Sequence, residues 1–256
     1  MDAGETQLSS VKSVDRLFEI IDVLDELDGA RVTEVAELLE MPKSTVHGHL
    51  STMHQHGYVV KEGNEYYLSL QFLRLGEHAR WRKQAYKLAH EKVSRLAERT
   101  DERAQFIIEE HGKGVYVHRE TSEHGVETDS NIGESVPLHA TAAGKAILSA
   151  LPVPYADSLI EEIELERFTE HTITDRDELR EELQTARDRN YVFNNEESTK
   201  GLSAVGVPVL EQSGAVLGAI SVSGPTYRMN GDWFTEEIPL ILLGTANELE
   251  LDITFS

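Results

Sequence analysis

Apolar residues recur along this chain with two different periods, and the elements change where the period changes. From Ser10 to Leu27 they fall at Val14, Leu17, Phe18, Ile21, Leu24 and Leu27. Steps of three and four place them on one continuous helical face, and Asp28-Gly29 ends the helix. Two shorter helices follow between Thr33 and His56, carried by Val35, Ala36 and Leu39 and then by Val46, Leu50 and Met53. Pro42 falls in the first turn of the second of these, where a helix tolerates proline. Gly57 stops it. Tyr58 to Lys61 and Glu65 to Leu70 then read as strands turned by Gly63-Asn64. Three helices and a hairpin predict a winged helix-turn-helix over residues 1–69. Leu70, Leu73 and Ala79 return to helical spacing among Arg74, Arg80, Arg82 and Lys83, which predicts a linker helix over 70–83.

Residues 84–256 alternate between the two periods. Ala85 to Thr100 reads as an amphipathic helix through Leu88, Ala89, Val93, Leu96 and Ala97. Ala104 to Glu109 and Val115 to His118 read as strands joined at His111 to Gly114, with a further strand at Thr128 to Ile132. Pro137 to Leu151 is a helix of small residues stopped by Pro152. Thr174-Asp175 opens another, ended by Asn190, a residue that tolerates the left-handed region. Leu202 to Leu210 and Ala215 to Ser223 are strands around Gln212-Ser213-Gly214. Thr235 caps a last helix packed through Ile238, Ile241, Leu242, Thr245 and Leu249. Strand pairs with hairpin-length links plus helices predict an α+β domain with a mainly antiparallel sheet.

Charge changes the picture at three places. The chain carries 46 acidic against 24 basic side chains, net −22, and has no cysteine. Disulfides, zinc ribbons and thiol catalysis are therefore excluded. Much acid, only nine lysines and no cysteine point to a halophilic cytoplasm, where carboxylates keep the surface hydrated and salt screens their repulsion. Yet Met41 to Lys61, Ser135 to Ala156 and Gln212 to Gly231 contain no Asp or Glu. The first window is the second helix of the helix-turn-helix, the one that enters the major groove of double-stranded DNA. Away from its apolar stripe stand Lys43, Ser44, Thr45, His47, His49 and Thr52. Short hydroxyl side chains reach phosphates and base edges, and lysine adds charge. Arg16 and Lys43 are candidates for phosphates, and Ser44, Thr45, His47 and His49 for base edges or phosphates. An ordinary surface helical hairpin would show the same helix pattern, but would not need to exclude acid.

The other two windows suit a small anion. One holds a helix N-terminus near His139 to Ala143, whose free N–H groups and dipole favour negative charge. In the other, alternation puts Ser221 and Ser223 on one strand face and Ile220 and Val222 on the opposite face. Close packing of small residues between helix and sheet explains the same composition, and the two readings stay open here.

No other chemistry is legible. Gly144-Lys145 ends like a phosphate loop, but His139 stands where that motif needs glycine and Ala146 where it needs Ser or Thr. His47, His49, His54 and His56 have no acidic or cysteine partner at ligand spacing, so no metal is expected. There is no GxSxG and no acid–base pair. No cofactor is expected, nor any catalytic residue. No apolar run approaches a membrane span and Met1 to Ser10 is not a secretory signal, so a cytoplasmic protein is expected.

Several motifs in order resemble the IclR family of transcriptional regulators: Ser13-Val14-Asp15-Arg16-Leu17, Pro42 to His47, Gly57-Tyr58, Pro137 to Ala146, Asn195-Glu196-Glu197 with Gly201-Leu202, and Ser221 to Pro225. The resemblance implies a winged helix, a linker helix and an effector domain over 84–256 similar to the GAF/PAS-like fold. It implies a homodimer through the DNA-binding half or a tetramer through the effector half, and a small organic, sugar or aromatic acid as effector. The effector pocket it implies comprises Thr128, Val136, Ala142, Ala143, Asn194, Leu202, Ala204, Ser221 and Ser223. Three positions depart from the family: Asn194 where relatives often have Asp, Ala204 where some have Cys, and Gly48 where many have Arg. The function expected is a ligand-responsive DNA-binding regulator, with repression the favoured sign. An enzyme fused to a helix-turn-helix would need catalytic motifs that are missing. An architectural DNA-binding protein would not need the large second domain.

Overall fold

The computed structural model describes residues 10–125 and 131–256, and the chain divides after Ala79 into two compact units. The first holds α1 (Lys12–Glu26), β1 (Ala30–Arg31), α2 (Val32–Leu38), α3 (Lys43–Gln55), β2 (Val59–Glu62), β3 (Glu65–Leu68) and most of α4 (Gln71–Arg80). Its three strands pair antiparallel in the order β1-β3-β2. The predicted helices and wing of residues 10–69 are present, within a residue or two of the expected ends, and the linker helix stops at Arg80, three residues before its expected end; β1 is too short to show alternation and was not expected. Glu40 makes the turn between α2 and α3 at φ +49°. The Met41 N–H then donates to the Ala36 carbonyl at 2.9 Å, which drops Met41 into the core. That core is Ile20, Leu24, Val35, Val46, Leu50 and Tyr66 with their neighbours.

The expected single apolar face of α1 does not hold together. Ile20, Val23 and Leu24 are buried, whereas Val14, Phe18 and Leu27 are exposed. The helix packs on its 20/24 side, and its N-terminal half, with Val11, presents apolar side chains to solvent. Leu70 and Leu73, near the start of α4, are exposed as well.

The second unit holds α5 (Gln84–Thr100), β4 (Arg103–Glu110), β5 (Lys113–Thr121), β6 (Ser135–Pro137), α6 (Ala142–Ala150), α7 (Val153–Glu162), α8 (Arg176–Arg189), β7 (Val192–Asn195), β8 (Leu202–Leu210), β9 (Val216–Pro225) and α9 (Ile238–Phe255), the last entered through a π turn at Trp233–Glu237. Its sheet runs β6-β5-β4-β9-β8-β7, every described pair antiparallel. Strand alternation sends Phe106, Val205, Val207, Ile220 and Val222 against α5 and α9. The other face, with Ile107, Tyr116 and Ala219, meets α6, α7 and α8. A bulge makes Val117 the extra residue of β5, so that Tyr116 pairs with Ile107 and His118 with Phe106.

Local chemistry sets several of these ends. Asp175 caps α8 by accepting from the Asp177 and Glu178 N–H groups, and Asn190 closes it in the left-handed region. Pro137 belongs to β6 and not to the expected helix: the Thr141 hydroxyl donates to the Pro137 carbonyl at 2.9 Å and accepts from the Gly144 N–H at 3.1 Å, so α6 starts at Ala142. Ile132 lies in a turn, and the strand in this region is β6. Thr128 lies outside the described residues. Thr235 does not cap the last helix either; its hydroxyl donates back to the Gly231 carbonyl inside the π turn. α7 and β7 were not expected, although Val153, Ala156, Leu159 and Ile160 of α7 do lie at helical spacing; β7 has only four residues, too few to show alternation.

Candidate functional site

In the first unit, α3 is anchored by Val46, Leu50 and Met53, all buried. Opposite them Ser44, His47, Gly48, Ser51 and Gln55 are exposed along one face, at steps of three and four. The His47 ring and the Ser51 hydroxyl lie 3.4 Å apart. Ser51 and Gln55 were not singled out from sequence, although the same spacing contains them. Thr45 and His49 are half-buried on the flank of this face, while Lys43 and Arg16 are exposed.

Gly48 has no backbone reason to be glycine. Its φ is not positive, and a Cβ there would meet nothing within 4 Å. Gly48→Ala should therefore stabilise the protein by about 0.5–1 kcal/mol, the helix-interior cost of glycine, read as a rise in the unfolding midpoint. Gly48→Arg should strengthen DNA binding and steepen its salt dependence by about 0.9 in log K against log salt, one phosphate contact's worth.

In the second unit the N-terminus of α6 faces the sheet. A Cβ on Gly206 would lie 2.5 Å from the Ala142 carbonyl carbon, and one on Gly144 would lie 2.5 Å from the Leu138 Cα. These two glycines answer to close packing. Ala142, Ala143 and Ala204 instead border a cavity of about 30 Å³, together with Asn194, Leu202, Ser221 and Ser223. Arg103, Gln105, Ile107, Tyr116, Thr141 and Ser198 complete its wall. Val136, placed here by the resemblance, lines a different and larger cavity of about 460 Å³ at the β6 edge. That cavity carries Glu162, Glu164 and Glu166 against Lys113, a poor setting for an anion. His139 lines it too, with burial holding its pKa below the ordinary value.

The polar groups of the smaller cavity fall into two sets. Asn194 is committed to the frame: its amide donates to the Ala140 carbonyl and accepts from the Glu197 N–H at 3.1 Å. One of its two amide N–H groups and its carbonyl oxygen are thus engaged with the frame. Ser223 is committed as well. Its hydroxyl accepts from Arg103 Nε at 3.1 Å and lies 2.9 Å from the Gln105 amide, which in its satisfied orientation takes the hydroxyl proton and donates to the Arg103 and Ser221 carbonyls. The Ser221 and Tyr116 hydroxyls make no side-chain hydrogen bond among the described residues, though both residues are buried. The loop after β7 is held from below by Lys145, whose Nζ lies 2.7 and 2.8 Å from the two Glu197 carboxylate oxygens. Both partners are buried; burial pushes the Glu197 carboxyl up, and the ammonium opposes it. Arg103 and Lys145 were missed from sequence as site residues because a lone basic residue in a strand or helix carries no spacing signal.

Residues 13–63 match the IclR helix-turn-helix domain, and residues 82–250 match the bacterial transcriptional regulator IclR C-terminal domain. The chain belongs to the IclR family. It is 33% identical over 245 residues to the probable HTH-type transcriptional regulator ArcR of Halobacterium salinarum, covering 94% of this chain and 93% of that one. The crystal structure of Thermotoga maritima IclR superimposes with a TM-score of 0.79 at 27% identity, covering 94% of this chain and 98% of that one. An IclR homolog from Microbacterium hydrocarbonoxydans, crystallised with 4-hydroxybenzoate, shares the fold with a TM-score of 0.79 at 23% identity, covering 95% of this chain and all of that one. IclR-family membership makes this chain a DNA-binding transcription regulator, and the winged helix and α+β domain are the family's two parts.

Proposed function

We propose that this IclR-family protein is a cytoplasmic repressor that reads its operator through the exposed face of α3 and is controlled by a small organic acid bound between α6 and the sheet. The observation that supports the effector is the cavity itself. It joins a helix N-terminus, a buried arginine and uncommitted hydroxyls in a chain of net charge −22. Repression needs only occupancy of the operator, whereas activation needs an additional surface for polymerase. DNA lies in the cytoplasm, and among the described residues no helix is long and apolar enough to cross a membrane. The exposed Val11, Val14 and Phe18 of α1, with Leu70 and Leu73, support a homodimer through the DNA-binding unit. A tetramer would add contacts between effector domains, and light scattering distinguishes the two.

The test is a footprint on the protein's own promoter region, across a salt series and with added organic acids. With Arg16, Lys43 and Lys61 the exposed cations of the DNA-binding unit that we assign to phosphates, the slope of log K against log salt should be shallow, about −3 per subunit. A shallow slope suits a protein working in the high salt that its acidity implies. A slope several times steeper would show that non-specific phosphate contacts dominate and would count against both readings. No footprint, or one that no acid alters, would overturn the proposed control.

A further inference from the structure

We infer that Tyr116 is the specificity-determining residue of the effector cavity: its hydroxyl reads an uncharged oxygen at the end of the acid away from the carboxylate, so the effector is a short hydroxy acid and not a simple carboxylic acid. This deepens the acid-sensing reading above and rests on it. Tyr116 carries no sequence signal, because an aromatic residue in a half-buried strand is ordinary core. Its ring does pack as core, on the face of the sheet that α6 covers. The hydroxyl is what core packing leaves unexplained. A buried tyrosine ordinarily finds a partner for its hydroxyl. Tyr116 is 6% exposed and Ser221 2%, yet neither hydroxyl makes a hydrogen bond among the described residues. Among those residues the one fully enclosed side-chain polar atom without a partner is Ser122 Oγ. The Tyr116 and Ser221 hydroxyls therefore keep accessible surface, and they open onto the cavity that both residues line.

Sheet register sets these two hydroxyls apart. Tyr116 pairs with Ile107 of β4, and Ser221 pairs with Gln105 from the other side of the same strand. Neighbouring strands lie about 4.8 Å apart, so the two backbones are separated by about 10 Å across β4. The side chains thus enter the cavity from opposite sides. The Ala142 and Ala143 N–H groups open α6 on its wall and have no acceptor among the described hydrogen bonds. A carboxylate held there and by Ser221 leaves the phenol facing the far end of the molecule. A methyl group at that end would leave the buried phenol unpaired, whereas a hydroxyl pairs with it, since a phenol both donates and accepts. A site with a buried polar group rejects the analogue that lacks the matching group. The cavity of about 30 Å³ is far below the roughly 300 Å³ at which drug-sized pockets begin, which favours a short chain.

The full-length protein is titrated by calorimetry, at constant ionic strength, with sodium propionate, sodium 3-hydroxypropionate and the neutral 1,3-propanediol. The hydroxy acid should bind about tenfold more tightly than propionate, the worth of one hydrogen bond, and the diol should not bind measurably. Tyr116→Phe removes one oxygen and keeps the ring. It should weaken the hydroxy acid about tenfold while changing propionate by less than about twofold, which erases the preference. A purely structural role for the hydroxyl would move both acids together. Ser221→Ala, at the carboxylate end, should weaken both acids by a similar factor. Operator binding without acid is measured on each variant as the check on folding, and the preference of the parent protein is decisive by itself if Tyr116→Phe loses it. Equal affinity of the parent for the two acids, or a preference that survives Tyr116→Phe, overturns the inference and leaves acid sensing standing. Diol binding as tight as that of the hydroxy acid overturns both. Binding of none of the three overturns the inference, and the footprint with larger acids then decides acid sensing separately.

Discussion

Glu197→Ala should lower the melting temperature of the effector domain by about 10 °C. The substitution strands the Lys145 ammonium, which is 1% exposed and bound by both carboxylate oxygens of Glu197. Breaking one side of a buried ion pair costs about 3–5 kcal/mol, because the remaining charge keeps its desolvation penalty and loses its partner. For a domain of this size each kcal/mol moves the midpoint by about 2–4 °C. The carboxylate of Glu182, 3.7 Å from the same Nζ, is more exposed and compensates little. The loss reaches beyond the pair. The Glu197 N–H donates to Asn194, and its carbonyl accepts from the Thr172 hydroxyl at 2.6 Å, so the segment after β7 is organised around this residue. Ser198, the next residue, lines the cavity; weaker effector binding should accompany the lower midpoint. Replacing both partners, as in Lys145→Met with Glu197→Leu, should recover most of the stability, since no charge is then left buried. Calorimetry on the single and the double variant measures this. A single-variant drop below about 2 °C would mean that the pair is solvated and does not hold the loop.

The parts of this fold that could be read in the sequence are those whose signal is local. The stripe of α3, the Asp175 and Asn190 ends of α8 and the serine alternation of β9 each depend on a few adjacent residues and appear where expected. Signals that depend on distant partners were not legible. The α1 sequence shows six apolar residues in register but does not show which side meets β3 and α2; half of them end in solvent. Thr141 looks like one more small residue within a helix until its hydroxyl is seen to accept from the Gly144 N–H, which makes it a cap. The cavity separates in the same way. Ala142, Ala143, Asn194, Leu202, Ala204, Ser221 and Ser223 were identified on motifs and the structure brings them together. Which of their polar groups are free to meet a ligand depends on hydrogen bonds reaching across the sheet. By that criterion the Ser221 hydroxyl has no side-chain partner among the described residues, whereas the Ser223 hydroxyl and the Asn194 side chain take part in the frame. Arg103 gave no sequence signal, because an isolated arginine ordinarily means a solvated surface and its burial follows only from the topology.

Ser44→Ala together with His47→Ala should weaken operator binding by about a hundredfold or more while leaving the fold unchanged. Both side chains are exposed and point away from the Val46, Leu50 and Met53 anchor, so truncating them removes no core contact. Surface changes of this kind alter stability by about 0.5 kcal/mol at most. A hydrogen-bonded base contact contributes about 1–3 kcal/mol of discrimination, and two such losses at about 1.4 kcal/mol per tenfold give the factor stated. The His47–Ser51 contact at 3.4 Å adds to the effect, because removing the imidazole also frees the Ser51 hydroxyl that it orients. Neither substitution removes a fixed positive charge. The slope of log K against log salt should therefore stay as in the parent protein while the whole line drops, a signature that separates lost base reading from lost phosphate attraction. Lys43→Ala is the contrasting case: it should flatten the slope by about 0.9 and weaken specific and non-specific DNA alike. If the double variant retains the parent footprint, α3 does not read the operator through this face, and the half-buried Thr45 and His49 on its flank become the residues to substitute next.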